Sequence, residues 1–196
     1  MALSQVQIVN LALTKLGQDR VVAITDDTEA ARVMRSMWDM TLDTTLASFP
    51  WKFAIKRVEL AALADAPLGT EWTLQYTLPD ECPRQVPVGE AWAFYNPPPR
   101  PVTLEGGVIL SNEPAPLFVR YVQRITNVGL WPPLFGRVMA MQLAADASEK
   151  LTTSNSKFEA AMLALEVAVK EARRQNAIER PPITLANSDW LASRDD

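Results

Sequence analysis

The sequence predicts an α+β protein, an antiparallel helical bundle interrupted by a small, mostly antiparallel β domain. Three observations predict it. Apolar residues recur at helical spacing through the first fifty residues and again from 130 to 180. Between them, short runs rich in Val, Ile, Thr and aromatics are punctuated by Pro and Gly, as short strands are. The apolar fraction, 48%, is enough to fill a core. The expected division is 1–50 and 130–180 for the bundle, 51–129 for the inserted β domain, and 181–196 for a C-terminal arm.

The first helix is expected near 5–16. Ser4 and Gln7 have capping-box spacing, and Val6, Val9, Leu13 and Leu16 follow at three- and four-residue steps. Gly17 then supplies the left-handed residue that ends a helix most easily. Asp26 with Glu29 gives a second cap signature. Met34, Trp38, Leu42, Thr45 and Phe49 trace one face of a second helix that Pro50 stops. Its length comes to about 33 Å.

Five strand-like runs follow: "KFAIKRVEL", "EWTLQYTLP", "VPVGEAWAFY", "PVTLEGGVIL" and "PLFVRYVQRI". Within "LEGGVIL", Gly106-Gly107 suits the positive φ angles of a tight hairpin turn. "YNPPPRP" at 95–101 cannot be helical and reads as an extended edge or loop.

Helical spacing returns after Pro132 and Pro133, which suit a first turn where the donor they lack would be unpaired. One stripe holds Leu134, Val138, Met141 and Ala145; beside it lie Phe135, Met139, Leu143, Ala147 and Leu151. Ser156 with Glu159 caps a fourth helix, whose apolar face is expected to be Phe158, Met162, Leu165 and Val169. Arg173 and Arg174 near its end suit the helix dipole, and Pro181-Pro182 stops it. Matched lengths and a short connection argue for side-by-side packing. "LWPPLF" at 130–135 stands where the chain re-enters the bundle and reads first as a hydrophobic brace at that joint.

Composition excludes several classes of function. The formal charge is −4 with no histidine, so the commonest general base and transition-metal ligand are both missing. Nothing global attracts nucleic acid, and Lys52, Lys56 and Arg57, Arg120 and Arg124, and Arg173 and Arg174 form separate groups rather than a basic stripe. The N-terminal stretch reads as an amphipathic helix instead of a signal peptide, and no run is long enough to span a membrane. The single cysteine, Cys82, sits among acids in "DECPR", which disfavours the thiolate. No phosphate loop, Rossmann glycines or nucleophile elbow is present. One constellation remains for chemistry: Asp39 and Asp43 could face Asp146 and Glu149 and hold Mg²⁺ or Ca²⁺, against a simpler reading as a solvated acidic face. The expectation is no enzyme and no cofactor. Candidate protein contacts are Trp131 and Phe135 at the joint and Ile183, Leu185, Trp190 and Leu191 in the arm.

Several stretches, taken in order, resemble the head-to-tail adaptors (connectors) of tailed bacteriophages, of the tail tubular protein A type. They are "VNLALTKLGQDRV", the long second helix leaving through "FPW", "WTLQYTLPDECPRQVPV", the span from "EGGVIL" through the third helix, and "WLASR". "YNPPPRP" departs from that pattern. The resemblance implies a structural virion protein forming a dodecameric ring at the portal-proximal neck, synthesised in the host cytoplasm. Its partners would be sister copies, the phage portal protein and the next tail component, a nozzle or tail tube. DNA would pass through the ring during genome ejection without sequence recognition, and an acidic chain suits such a conduit. The alternatives are a carboxylate-metal enzyme and a helical scaffolding protein of a cellular host.

Overall fold

A computed structural model describes residues 3–80, 82, 84–85 and 102–178. "VPVGEAWAFY" past Gln85, "YNPPPRP" and the arm with Ile183, Leu185, Trp190 and Leu191 lie outside the described residues. The fold is mixed α+β, a helical core carrying a small antiparallel β insertion. In chain order the helices are α1 (Gln5–Leu16), α2 (Glu29–Ala47), α3 (Pro133–Thr152) and α4 (Asn155–Ile178). The strands, all between α2 and α3, are β1 (Ile55–Leu60), β2 (Leu74–Thr77), β3 (Arg84–Gln85), β4 (Val102–Glu105), β5 (Val108–Ser111) and β6 (Leu117–Val122).

Local chemistry sets the α1 ends. Ser4 and Gln7 form the full capping box, and Gly17 closes the helix at φ +71°. The cap of α2 differs from the expectation. Thr28 is the N-cap, its hydroxyl accepting from the Ala31 N–H, and Glu29 opens the helix. Asp26 instead accepts from the Val22 and Ala23 N–H groups, closing the preceding loop on itself. Asn10 pins that loop to α1, donating to the Val21 carbonyl at 2.9 Å and accepting from the Val21 N–H at 2.8 Å. Ser48 ends α2 at about 28 Å, shorter than the expected length.

Cross-bridges fix the helix directions. Glu29 meets Lys150, and Thr45 meets Met139, so α2 runs antiparallel to α3. Leu3 lies against Gly136 and Gln18 donates to the Leu151 carbonyl, so α1 runs parallel to α3. Arg137 pairs with Glu171 across the α3–α4 hairpin. Helix α3 therefore stands in the middle, touched by the other three. Most of both stripes is buried, and Gly136, Ala140, Ala144 and Ser148 are buried as well. Among the described residues no helix is long and apolar enough to cross a membrane.

Among the described residues the insertion forms two three-stranded sheets, β1-β6-β3 and β2-β5-β4, antiparallel at every pair. Gly106 and Gly107, at φ +57° and +83°, make the expected two-residue β4–β5 turn, with Glu105 opposite Val108. The sheets share a small core of Tyr76, Ile109, Leu117 and Val119. Strand β6 enters both cores, because Val122 at its end belongs to the helical one. That shared strand couples insertion to bundle.

Candidate functional site

The joint is where the chain leaves and re-enters the bundle. "FPWKF" carries it out and "WPPLF" brings it back, and the two meet because β1 and β6 are neighbours in one sheet. The Gln123 N–H donates to the Ala54 carbonyl at 2.7 Å, carrying the pairing past the strand ends. Trp131 stacks on Trp38, centroids 5.9 Å apart, and meets Phe135 edge-on at 5.1 Å. Phe135 touches Trp51 at 5.2 Å and Phe53 at 4.7 Å. Both indole N–H groups are satisfied by backbone: Trp131 donates to Ile125 at 2.9 Å, Trp51 to Thr45 at 2.8 Å. Such ring pairs contribute about 0.5–1.5 kcal/mol each beyond their burial.

Trp131 and Phe135 are only 4% and 1% exposed. Their surface is committed to this chain's own core, so the brace reading describes them and the role of partner contact does not. The reason is the β1–β6 pairing, which brings two aromatic segments eighty residues apart in sequence into one cluster.

The acidic constellation is rearranged by one residue. Arg124, just past β6, donates through Nε to Asp43 at 2.5 Å and through a terminal nitrogen to Asp39 at 2.7 Å. Its guanidinium is held above its ordinary pKa, chiefly by the hydrogen bond to Asp43 and next by that to Asp39. The two aspartates are one turn apart on α2, and a forked cation between them removes their mutual repulsion. Asp146 is engaged elsewhere, accepting from the Thr41 hydroxyl at 3.0 Å and the Gln142 amide at 2.9 Å. Glu149 lies exposed on the following turn of α3. Among the described residues no three Asp, Glu or Cys side chains gather as a metal site would require.

Two surface features escaped the sequence reading. The β1–β6 register sets Arg57 opposite Arg120, joining two basic groups that are far apart in the chain. Beside them Phe118 stands out from the sheet, over a shallow depression of about 290 Å³ that also touches Val58, Glu59 and Val119. Period-two alternation could have suggested the outward Phe118, but no local signal gives strand partners.

The second feature is α4. Its buried residues are Ala161, Ala168 and Ala172, not the large side chains expected there. Phe158 and Met162 remain 45% and 44% exposed, and Leu165 and Val169 are half-buried against the core edge. On the side turned away from the buried alanines Leu163 is 65% exposed and Val167 50%. Ala161, Ala168 and Ala172 let α4 pack closely along α3, and the large side chains stand outside that contact. A scan against protein-family models and a search of curated proteins return no match to this chain.

Proposed function

We propose that this chain is a non-enzymatic structural adaptor, assembling as a ring at the head-to-tail junction of a tailed phage and joining portal to tail. The observation that carries the reading is the apolar surface of α4, where Phe158, Met162, Leu163, Val167 and Ile178 are all exposed on one helix. Single exposed apolar residues are ordinary; several along one element mark a contact surface. The insertion adds a face of different chemistry, the Arg57–Arg120 pair beside Phe118. A ring subunit between two axial neighbours needs such unlike faces, and the resemblance of the sequence to phage adaptors points to the same assembly.

The braced joint suits a part that bears load between neighbours. Aromatic packing and the Arg124 fork tie the insertion to α2 and α3, so a force on one is transmitted to the other. The carboxylate-metal alternative would need Arg124 to vacate Asp39 and Asp43 and Asp146 to exchange its present donors. A host scaffolding protein would share the α4 surface and differ in partner.

The test is direct. Purified protein is sedimented alone and with portal rings, and the mixtures are imaged in negative stain. Co-sedimentation and rings seated on portals are expected. A compact monomer indifferent to portal would end the reading, and capture of Mg²⁺ at the acidic residues would revive the enzyme.

A further inference from the structure

We infer that the rim of α4 is the docking groove for the C-terminal segment, residues 183–191, of a neighbouring copy. The inference rests on the ring reading and specifies one of its lateral contacts. The groove is the line Phe158, Met162, Leu165 and Val169, at steps of four, three and four on one flank of the helix. Its two outer members are exposed, and its two inner ones lie half-buried against the core, so an occupant would continue the core outward. This is how an apolar segment in a groove gains most: it covers large side chains already fixed on a rigid helix.

The chain itself supplies a matching occupant. Beyond Ile178 it continues for eighteen residues, among them Ile183, Leu185, Trp190 and Leu191, the largest apolar side chains of that stretch. An extended run from 183 to 190 spans about 23 Å and the groove about 16 Å, so one covers the other. Charge agrees as well. The last residues carry Asp189, Asp195 and Asp196 against Arg194, while α4 carries Lys157, Lys170, Arg173 and Arg174 against three glutamates.

The choice of a neighbour follows from the ring reading, in which sister copies stand side by side and a segment shared between them adds a lateral contact.

The experiment uses the full chain with Cys82→Ser, Glu159→Cys and Ser188→Cys, oxidised and run on a non-reducing gel, with sedimentation velocity in parallel. Glu159 is exposed beside the groove and Ser188 sits two residues before Trp190, so neither change removes an apolar contact. A ladder of covalent multimers is expected. A faster-running monomer closed on itself would overturn the neighbour assignment, and rings without cross-link would overturn the docking while sparing the ring. A protein that stays monomeric throughout would overturn both. In a second arm, Met162→Asp and Trp190→Ala should each weaken assembly at least tenfold, and the double variant no more than the stronger single one. Additive losses would overturn the contact. Circular dichroism checks that Met162→Asp, at an exposed site, still folds.

Discussion

The Trp38 and Trp131 rings lie 9° from parallel, so α2 and the return segment from the β insertion are joined face to face. Trp131→Ala removes that stack, the edge contact with Phe135 and a nearly full burial. The expected loss is about 3–5 kcal/mol, the range for large aromatics emptied from a core. Trp131→Phe should recover much of it while leaving the Ile125 carbonyl without its indole donor. Urea unfolding midpoints of the three proteins measure both steps, and equal stability of Trp131→Ala and wild type would show the joint to be slack.

Arg124→Ala leaves Asp39 and Asp43 facing each other across one turn without their shared cation. Asp39 is largely exposed, so solvent screens much of the effect, and a loss of about 1 kcal/mol is expected. High salt should shrink the difference between the variant and wild type. Calorimetric titration of the wild type with Mg²⁺ should be silent, because the arginine already occupies the space between the carboxylates.

The two faces of α4 should respond oppositely to substitution. Ala168 is 1% exposed against α3, so Ala168→Leu overfills a close contact and should cost about 1–3 kcal/mol. Met162→Ser, on the rim, should change the stability of the isolated chain by no more than about 1 kcal/mol. If Met162→Ser proved the costlier, α4 would be turned toward its large residues.

Alkaline pH should loosen the small β core. The Tyr76 hydroxyl donates to the Glu113 carbonyl at 2.8 Å, and its pKa is raised above the ordinary 10.0, first by burial and second by the Glu113 charge. The folded state therefore holds this proton more tightly than the unfolded one. Its contribution is complete below pH 10 and is lost as pH climbs through the folded value. Unfolding midpoints should be flat in this respect up to about pH 10 and fall above it, and Tyr76→Phe should flatten the fall.

Left-handed positions predict a stability pair of opposite sign. Gly17→Ala forces a side chain into φ +71° beside Lys157 and should destabilise by about 1 kcal/mol. Thr153, a β-branched residue at φ +48° between α3 and α4, carries that strain already. Thr153→Asn should relieve it by roughly 0.5–1 kcal/mol. Thermal unfolding of both variants decides the signs.

The sequence by itself determined what neighbours in the chain can settle. Ser4, Gln7 and Gly17 set the bounds of α1, Gly106-Gly107 set the β4–β5 turn, and Pro132-Pro133 set the start of α3, because caps and turns are satisfied within a few residues. Tertiary structure alone decided three matters. Arg124 reaches Asp39 and Asp43 only because β6 ends beside α2. The aromatic pair Trp131 and Phe135 turned inward only because β1 and β6 pair. Helix α4 shows its large residues to solvent because it packs through Ala161, Ala168 and Ala172, which permit a closer approach than Phe158 or Met162 would allow. Periodicity names the faces of a helix that could be buried, and the shape of the opposing surface chooses among them.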